Sequence, residues 1–308
     1  MIHNHRHEHD YGGGHVQAPE SFGLAFAIGT TLNIVLVIAE LGFGFFSNSL
    51  ALISDAVHNL SDVIGLLLAW AGTWLATWRP TASRTYGYGR ASILAALGNA
   101  TLLLVATGAV LLEALHRLFA PEPVGANIVL WVATFAIAVN TGTALLFMRG
   151  RKHDLNVKSA FLHMAGDAAI SLGVVVAAAL IGWTGRLWID PAVSLAVAVL
   201  IIFTTWSLTR DALNLALDAV PASIDRYAVE AYLGDLPGVT EVHDLHIWAM
   251  STTEFALTAH LVRPKANLDD HFLMDAAREL EHRFGIHHAT MQVETGDGEC
   301  RLAPPHVV

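Results

Sequence analysis

A single cysteine, Cys300, is all that 308 residues contain, so the chain holds no intrachain disulfide framework and no cysteine-rich zinc finger. Charge is also scarce: Asp, Glu, Lys and Arg make up 14% of the residues, and Lys plus Arg number 17 against 27 Asp plus Glu. At a net charge of −10 there is no basic surface to neutralise nucleic-acid phosphates, which excludes nucleic acid as a partner. No His-Glu-x-x-His helix occurs, because His7-Glu8 runs on to Asp10-Tyr11, and an intramembrane metalloprotease built on that motif is excluded with it. Low-complexity sequence is confined to the His-rich start, and no short-period repeat is present.

What the chain has instead is apolar length and histidine. It is 54% hydrophobic, with 17 histidines and a mean hydropathy of +0.50, far more apolar than an ordinary soluble domain. A helix needs ~20 apolar residues to cross a hydrocarbon core ~30 Å thick. Runs of that kind cover Leu24–Phe46, Leu50–Trp78, Ile93–Leu112, Ile128–Met148, Ala160–Ile181 and Pro191–Leu208, which predicts six transmembrane helices. Met1–Glu20 has no apolar centre and does not read as a secretory signal. Arg79, Arg84 and Arg90 follow span two, and Arg149, Arg151, Lys152 and Lys158 follow span four; elsewhere the connections carry little beyond Arg117 and Arg186. The positive-inside rule therefore places both termini in the cytoplasm.

From Pro221 the apolar runs shorten and charges become frequent. The pattern predicts helix Asp225–Leu236, strands Val239–Ala249 and Glu254–Val262, helix Asp269–Phe284 and strand His288–Glu294. An αββαβ order implies a two-layer α+β domain. The expected division is a His-rich tail over 1–20, a six-helix membrane domain over 21–216 and a cytoplasmic domain over 217–308.

Ionisable residues at membrane depth cost several kcal/mol and persist mainly where they face a cavity, a partner or an ion. Span two carries His58 and Asp62, four apart and therefore one turn from each other on one helical face; span five carries His163 and Asp167 at the same spacing. One such pair alone reads equally well as a hydrogen-bonded clamp between helices. Two matched pairs supply two imidazole nitrogens and two carboxylate oxygens, the four-ligand set that Zn2+ accepts tetrahedrally. Cd2+, Co2+, Fe2+ and Ni2+ use similar ligands. Asp55, Glu40 and Asn33 also lie in the spans and read first as structural.

Leu52 to Asp62 of span two, the His163/Asp167 pair, Tyr86-Gly87-Tyr88-Gly89-Arg90 and Val242-His243-Asp244-Leu245-His246-Ile247-Trp248 together resemble the cation diffusion facilitators (CDF), in particular their zinc-type cation efflux transporters. The resemblance covers nearly the whole chain. It implies a homodimer with six membrane helices per protomer, a cytoplasmic ferredoxin-like domain, and export of zinc in exchange for protons. It also implies a charge interlock between protomers at Arg90 and Asp218, and a cytoplasmic metal site at His243, His260, His287 and Glu294, with His246 and His271 nearby. Gln292 stands where some relatives have a histidine, which argues against a two-metal cluster there. The stretch Arg84–Tyr88 lacks the acidic and histidine ligands that some relatives place before span three, so no second site is expected in that loop.

Two further expectations complete this reading. The tract His3, His5, His7, His9 and His15, with Glu8 and Asp10, reads as a dispensable metal-capture arm. The short loop between spans four and five, without a His-rich insertion, points to a bacterial cytoplasmic membrane. The competing function is a membrane-bound metal sensor that does not transport.

Overall fold

A computed structural model describes residues 20–76, 78–147, 155–264, 270–296, 298, 300 and 302. The tract His3 to His15 and the basic residues Arg149, Arg151 and Lys152 lie outside the described residues. Six long helices come first: α1 (Glu20–Ser47), α2 (Leu50–Ala76), α3 (Arg90–Phe119), α4 (Ala126–Phe147), α5 (Leu155–Thr184) and α6 (Ile189–Ala216). All but α2 are longer than the expected apolar runs, α6 passing Leu208 by eight residues to Ala216. Backbone hydrogen bonding continues past the hydrocarbon edge, so the apolar run marks the buried stretch and not the helix end.

Among the described residues, α1, α3, α4, α5 and α6 are apolar and long enough to cross a membrane by length and composition alone. The sixth, α2, carries Asp55, His58 and Asp62 within its 27 residues. It packs against α1, α3, α5 and α6 and buries Leu52, Ala56 and Val63. Small side chains let the helices approach, with Ala51, Ala133 and Ala178 packed around Leu52, Val129 and Val174. Large apolar side chains such as Phe46, Trp131 and Phe203 point outward, as expected where the solvent is lipid and not water.

Polar residues fix the start of α2. Asn48, at φ 54°, turns the chain between α1 and α2; its carbonyl accepts from Arg117 Nη1 at 2.9 Å and its amide nitrogen donates to Glu122 Oε2 at 2.8 Å. The start of α2 is capped from another helix: Leu50 N donates to Asp190 Oδ2 at 2.8 Å, and Ser49 Oγ donates to Asp190 Oδ1. A carboxylate there satisfies orphan N–H groups and complements the helix dipole.

The second domain follows as α7 (Arg226–Gly234), β1 (Glu241–Ala249), β2 (Phe255–Val262), α8 (Asp270–Phe284) and β3 (Ile286–Glu294). This is the expected αββαβ order. Asp225 caps α7, its Oδ1 accepting from Tyr227 N at 2.9 Å. β1 pairs antiparallel with β2, and β2 pairs parallel with β3. One face of the sheet buries Leu245, Ile247, Leu257 and Leu261 against Val229 and Leu233 of α7 and Leu280 of α8. The other face carries His243, His260, Gln292 and Glu294.

The two domains touch through the β1–β2 turn. Thr252 N donates to Ser92 Oγ at 3.1 Å, and a side chain at Gly89 would place its Cβ 2.7 Å from Met250 O. We expect Gly89→Val to force the turn off the start of α3, an overpacking cost of about 1–3 kcal/mol. The check is hydrogen exchange at the Thr252 amide, which accelerates in the variant; unchanged protection would mean that the turn yields without breaking its bond.

Candidate metal sites

The candidate intramembrane site draws its residues from α2 and α5. Spacing of four puts His58 and Asp62 one turn apart on α2, and His163 and Asp167 one turn apart on α5, and the two faces oppose each other. The closest approaches run across the helices: His58 Nε2 lies 3.3 Å from Asp167 Oδ1, and His163 Nε2 lies 3.1 Å from Asp62 Oδ2. Within each helix the separations are 4.0 Å and 3.9 Å. The two imidazoles meet edge to face, with ring centroids 6.0 Å apart.

Zinc–nitrogen and zinc–oxygen bonds of about 2.0–2.2 Å in a tetrahedron need donors about 3.3–3.6 Å apart. The cross-helix distances already lie near that spacing, and the intrahelical ones need a contraction of a few tenths of an ångström. Donor atoms of His58, Asp62 and Asp167 lie within 4.8 Å of one another, with His163 joining through its 3.1 Å contact to Asp62. Asp167 is buried, and its Oδ2 has no hydrogen-bond partner. A buried carboxylate oxygen left unpaired is costly, and a cation between the helices would relieve it.

Two other polar pairs of the spans hold helices together. Ser171 Oγ of α5 donates to Asp55 Oδ2 at 2.8 Å, and Asn59 Nδ2 donates to Glu40 Oε2 at 2.9 Å, linking α2 to α5 and to α1. Asn33 is buried on α1. The four-ligand site opens onto a cavity of about 390 Å3 that Asn99 and Leu208 also line. The same two residues line a second cavity, of about 360 Å3, bounded by Gly65, Gly72 and Ser251–Thr253 of the β1–β2 turn. The site therefore adjoins a vestibule on the side of the second domain.

The second cluster lies on the open face of the sheet. His243 pairs with His260 in register across β1 and β2, and Glu294 lies two residues beyond Gln292, the partner of His260 on β3. Glu294 Oε1 is 2.9 Å from His260 Nδ1, and its Oε2 is 3.4 Å from His243 Nε2. His287 does not join them. It stands seven residues before Glu294 on the same strand, a separation of about 23 Å at 3.3 Å per residue, and it is exposed. The expected four-residue set is thus corrected to His243, His260 and Glu294; proximity in sequence to the last strand did not supply register.

His246 and His271 also fall outside this group. His246 Nε2 contacts Asp244 Oδ1 at 2.8 Å, and His271 lies on α8. Asp244 was not singled out from sequence, although it sits between two histidines in His243-Asp244-Leu245-His246. At φ 50° it forms the bulge that interrupts the β1–β2 register, which brings its Oδ2 to 3.4 Å from His260 Nε2. Cys300, which had no signal in spacing, lies with its Sγ 3.5 Å from His260 Nδ1.

Arg90 and Asp218 meet within one chain, Nη2 to Oδ1 at 2.5 Å, both about half exposed. An ion pair that open to solvent contributes little stability; its effect is to tie the start of α3 to the end of α6.

Two family profiles match this chain. The family profile for the cation efflux transmembrane domain matches residues 26–215, and that for the cytoplasmic domain of cation efflux proteins matches residues 221–296. The metal cation efflux system protein CzcD of Cupriavidus metallidurans is 35% identical over 97% of this chain and 93% of its own length. The zinc transporter ZitB of Escherichia coli is 33% identical, covering 94% and 92%. The cadmium, cobalt and zinc/H(+)-K(+) antiporter of Bacillus subtilis is 34% identical, covering 84% and 85%.

Proposed function

The chain belongs to the cation efflux family, a family of membrane transporters and not of enzymes, and from that premise we propose that it exports Zn2+ in exchange for protons through His58, Asp62, His163 and Asp167. The observation that carries this reading is the crossed pair of contacts, His58 to Asp167 and His163 to Asp62, between two membrane helices. Two nitrogens and two oxygens favour zinc over magnesium or manganese, which prefer all-oxygen shells. Relatives named for cadmium and cobalt support Cd2+ and Co2+ as further cargo; Fe2+ and Ni2+ rest on ligand chemistry alone.

The cavity on the side of the second domain, which shares Asn99 and Leu208 with the cavity at the site, fits a state that receives metal from the cytoplasm. Zinc and protons compete for the imidazole nitrogens, which in their unperturbed form titrate near pH ~6.5. Metal loads onto neutral histidine, movement of the helices opens the site to the far side, and protonation there expels it. The polar groups along the vestibule do no bond chemistry: they line the path, while Asp55 with Ser171 and Glu40 with Asn59 keep α2 in place against α5 and α1.

Division at 20/21 and 216/217, cytoplasmic termini, a bacterial inner membrane and a homodimer complete the proposal. The cytoplasmic domain binds metal through His243, His260 and Glu294 and biases the transport equilibrium by what it binds. Both ring nitrogens of His243 are buried without a hydrogen-bond partner, which a bound cation would remedy.

The test is zinc uptake into proteoliposomes under an imposed pH gradient. An acidic interior accelerates uptake, and collapsing the gradient removes the acceleration. Uptake that ignores the gradient would overturn proton exchange but leave zinc transport standing. No zinc flux under any gradient would instead support the non-transporting sensor.

A further inference from the structure

We propose that Cys300 is the fourth ligand of the cytoplasmic metal site, completing His243, His260 and Glu294 with a thiolate, so that the site takes a soft or borderline divalent cation and ties the chain beyond β3 to the sheet. This rests on the reading that the cytoplasmic domain binds metal, and adds to it the ligand that sequence spacing did not indicate.

Three adjacent strands bring three donors to one face. A fourth donor then arrives from beyond the sheet. After Glu294 the chain does not continue along the strand direction, because Gly296 adopts φ 78°, a left-handed conformation that favours glycine. A Cβ there would also press within 3.2 Å of Val262 Cγ1. Beyond this residue, Cys300 Sγ lies 3.5 Å from His260 Nδ1. One donor atom from each of His243, His260, Glu294 and Cys300 lies within 4.8 Å of the others.

The spacing of the thiol and the imidazole suits ligands of one metal ion. Zinc–sulfur at about 2.3 Å and zinc–nitrogen at about 2.0–2.1 Å place tetrahedral S and N donors about 3.5–3.6 Å apart. The observed 3.5 Å matches. The independent sign of a cation site is His243, whose side chain is 7% exposed and whose two ring nitrogens both lack a hydrogen-bond partner. His260 is prepared in the same sense. Its Nδ1 faces Glu294 and Cys300 while its Nε2 faces Asp244 Oδ2 at 3.4 Å, the carboxylate–histidine–metal order that fixes tautomer and ring orientation. On binding, the thiol gives its proton to solvent as the Sγ–metal bond forms, and nothing is oxidised or reduced. Two nitrogens, one oxygen and one sulfur favour Zn2+, Cd2+ and Co2+ over Mg2+, Ca2+ and Mn2+.

Because the chain has one cysteine, its thiol reports on this site alone. The experiment uses the full-length protein carrying Asp62→Ala and Asp167→Ala, so that metal bound in the membrane does not contribute. Co2+ is titrated while sulfur-to-cobalt charge transfer is followed, and alkylation of Cys300 is timed with and without Zn2+. We expect the charge-transfer band, and alkylation slowed about 100-fold at a Zn2+ concentration a hundred times Kd. Cys300→Ser abolishes the band and weakens Co2+ binding at least about tenfold, while His260→Ala restores alkylation at the same Zn2+. Co2+ bound with His260-dependent stoichiometry but without the band, and with Cys300 freely alkylated, would overturn the thiolate and leave the His/Glu site intact. No His260-dependent binding at all would overturn both.

Discussion

Asp167→Ala is expected to reduce the proposed zinc uptake into proteoliposomes to below about one hundredth of the wild-type rate, since even partners that only support metal ligands are worth about 10–100-fold in affinity. Asp167 is placed to be decisive. It is buried, it is the α5 residue that reaches His58 on α2 at 3.3 Å, and one of its oxygens has no other partner. Alanine removes the bridge between the helices together with a formal charge that helps hold a dication. Asp62→Ala removes the reciprocal contact to His163 and is expected to be equally silent. Gel filtration and membrane yield distinguish a silent folded variant from a misfolded one. Should both folded variants transport at the wild-type rate, the crossed pairs are clamps between helices and the zinc pathway lies elsewhere.

The second large effect falls on the cytoplasmic domain. Leu257 is fully buried at the centre of the middle strand, between β1 and β3 and over α7 and α8. Leu257→Ala costs about 2–5 kcal/mol, against a total of about 5–15 kcal/mol for a typical domain. For a domain of this size that lowers the unfolding temperature by roughly 10 °C or more. Limited proteolysis across a temperature series in the full-length protein reads the change, because cleavage between residues 221 and 296 begins earlier. Cleavage at the wild-type temperature would mean that the membrane domain, and not the sheet's own core, sets the stability of this region.

The bundle and the candidate residues within it were legible because the membrane imposes strong rules. Apolar length marks a span, and His58/Asp62 with His163/Asp167 announce themselves by being ionisable where such residues are expensive. Span ends were less legible, since α3 begins at Arg90 and α6 runs to Ala216 under backbone hydrogen bonding that hydropathy does not register. In the soluble domain the αββαβ order was readable from period and turns, but pairing register was not. His287 and Glu294 share a strand and lie at opposite ends of it. Asp244 reaches His260 through a bulge, and Cys300 reaches it from beyond Gly296. Each depends on one backbone conformation that no residue count along the chain encodes. Asp190 was missed for a related reason: its partners, Ser49 and Leu50, are about 140 residues away in sequence.

The vestibule beside the intramembrane site is not walled by membrane helices alone. Ser251, Thr252 and Thr253 of the β1–β2 turn form part of its boundary, held by the Thr252–Ser92 bond and by a backbone contact at Gly89 that leaves no space for a side chain. This cavity is consequently a shared room, with one wall belonging to each domain. Its width is a property of how the domains are seated on each other, and neither domain studied without the other has a vestibule of this shape to measure.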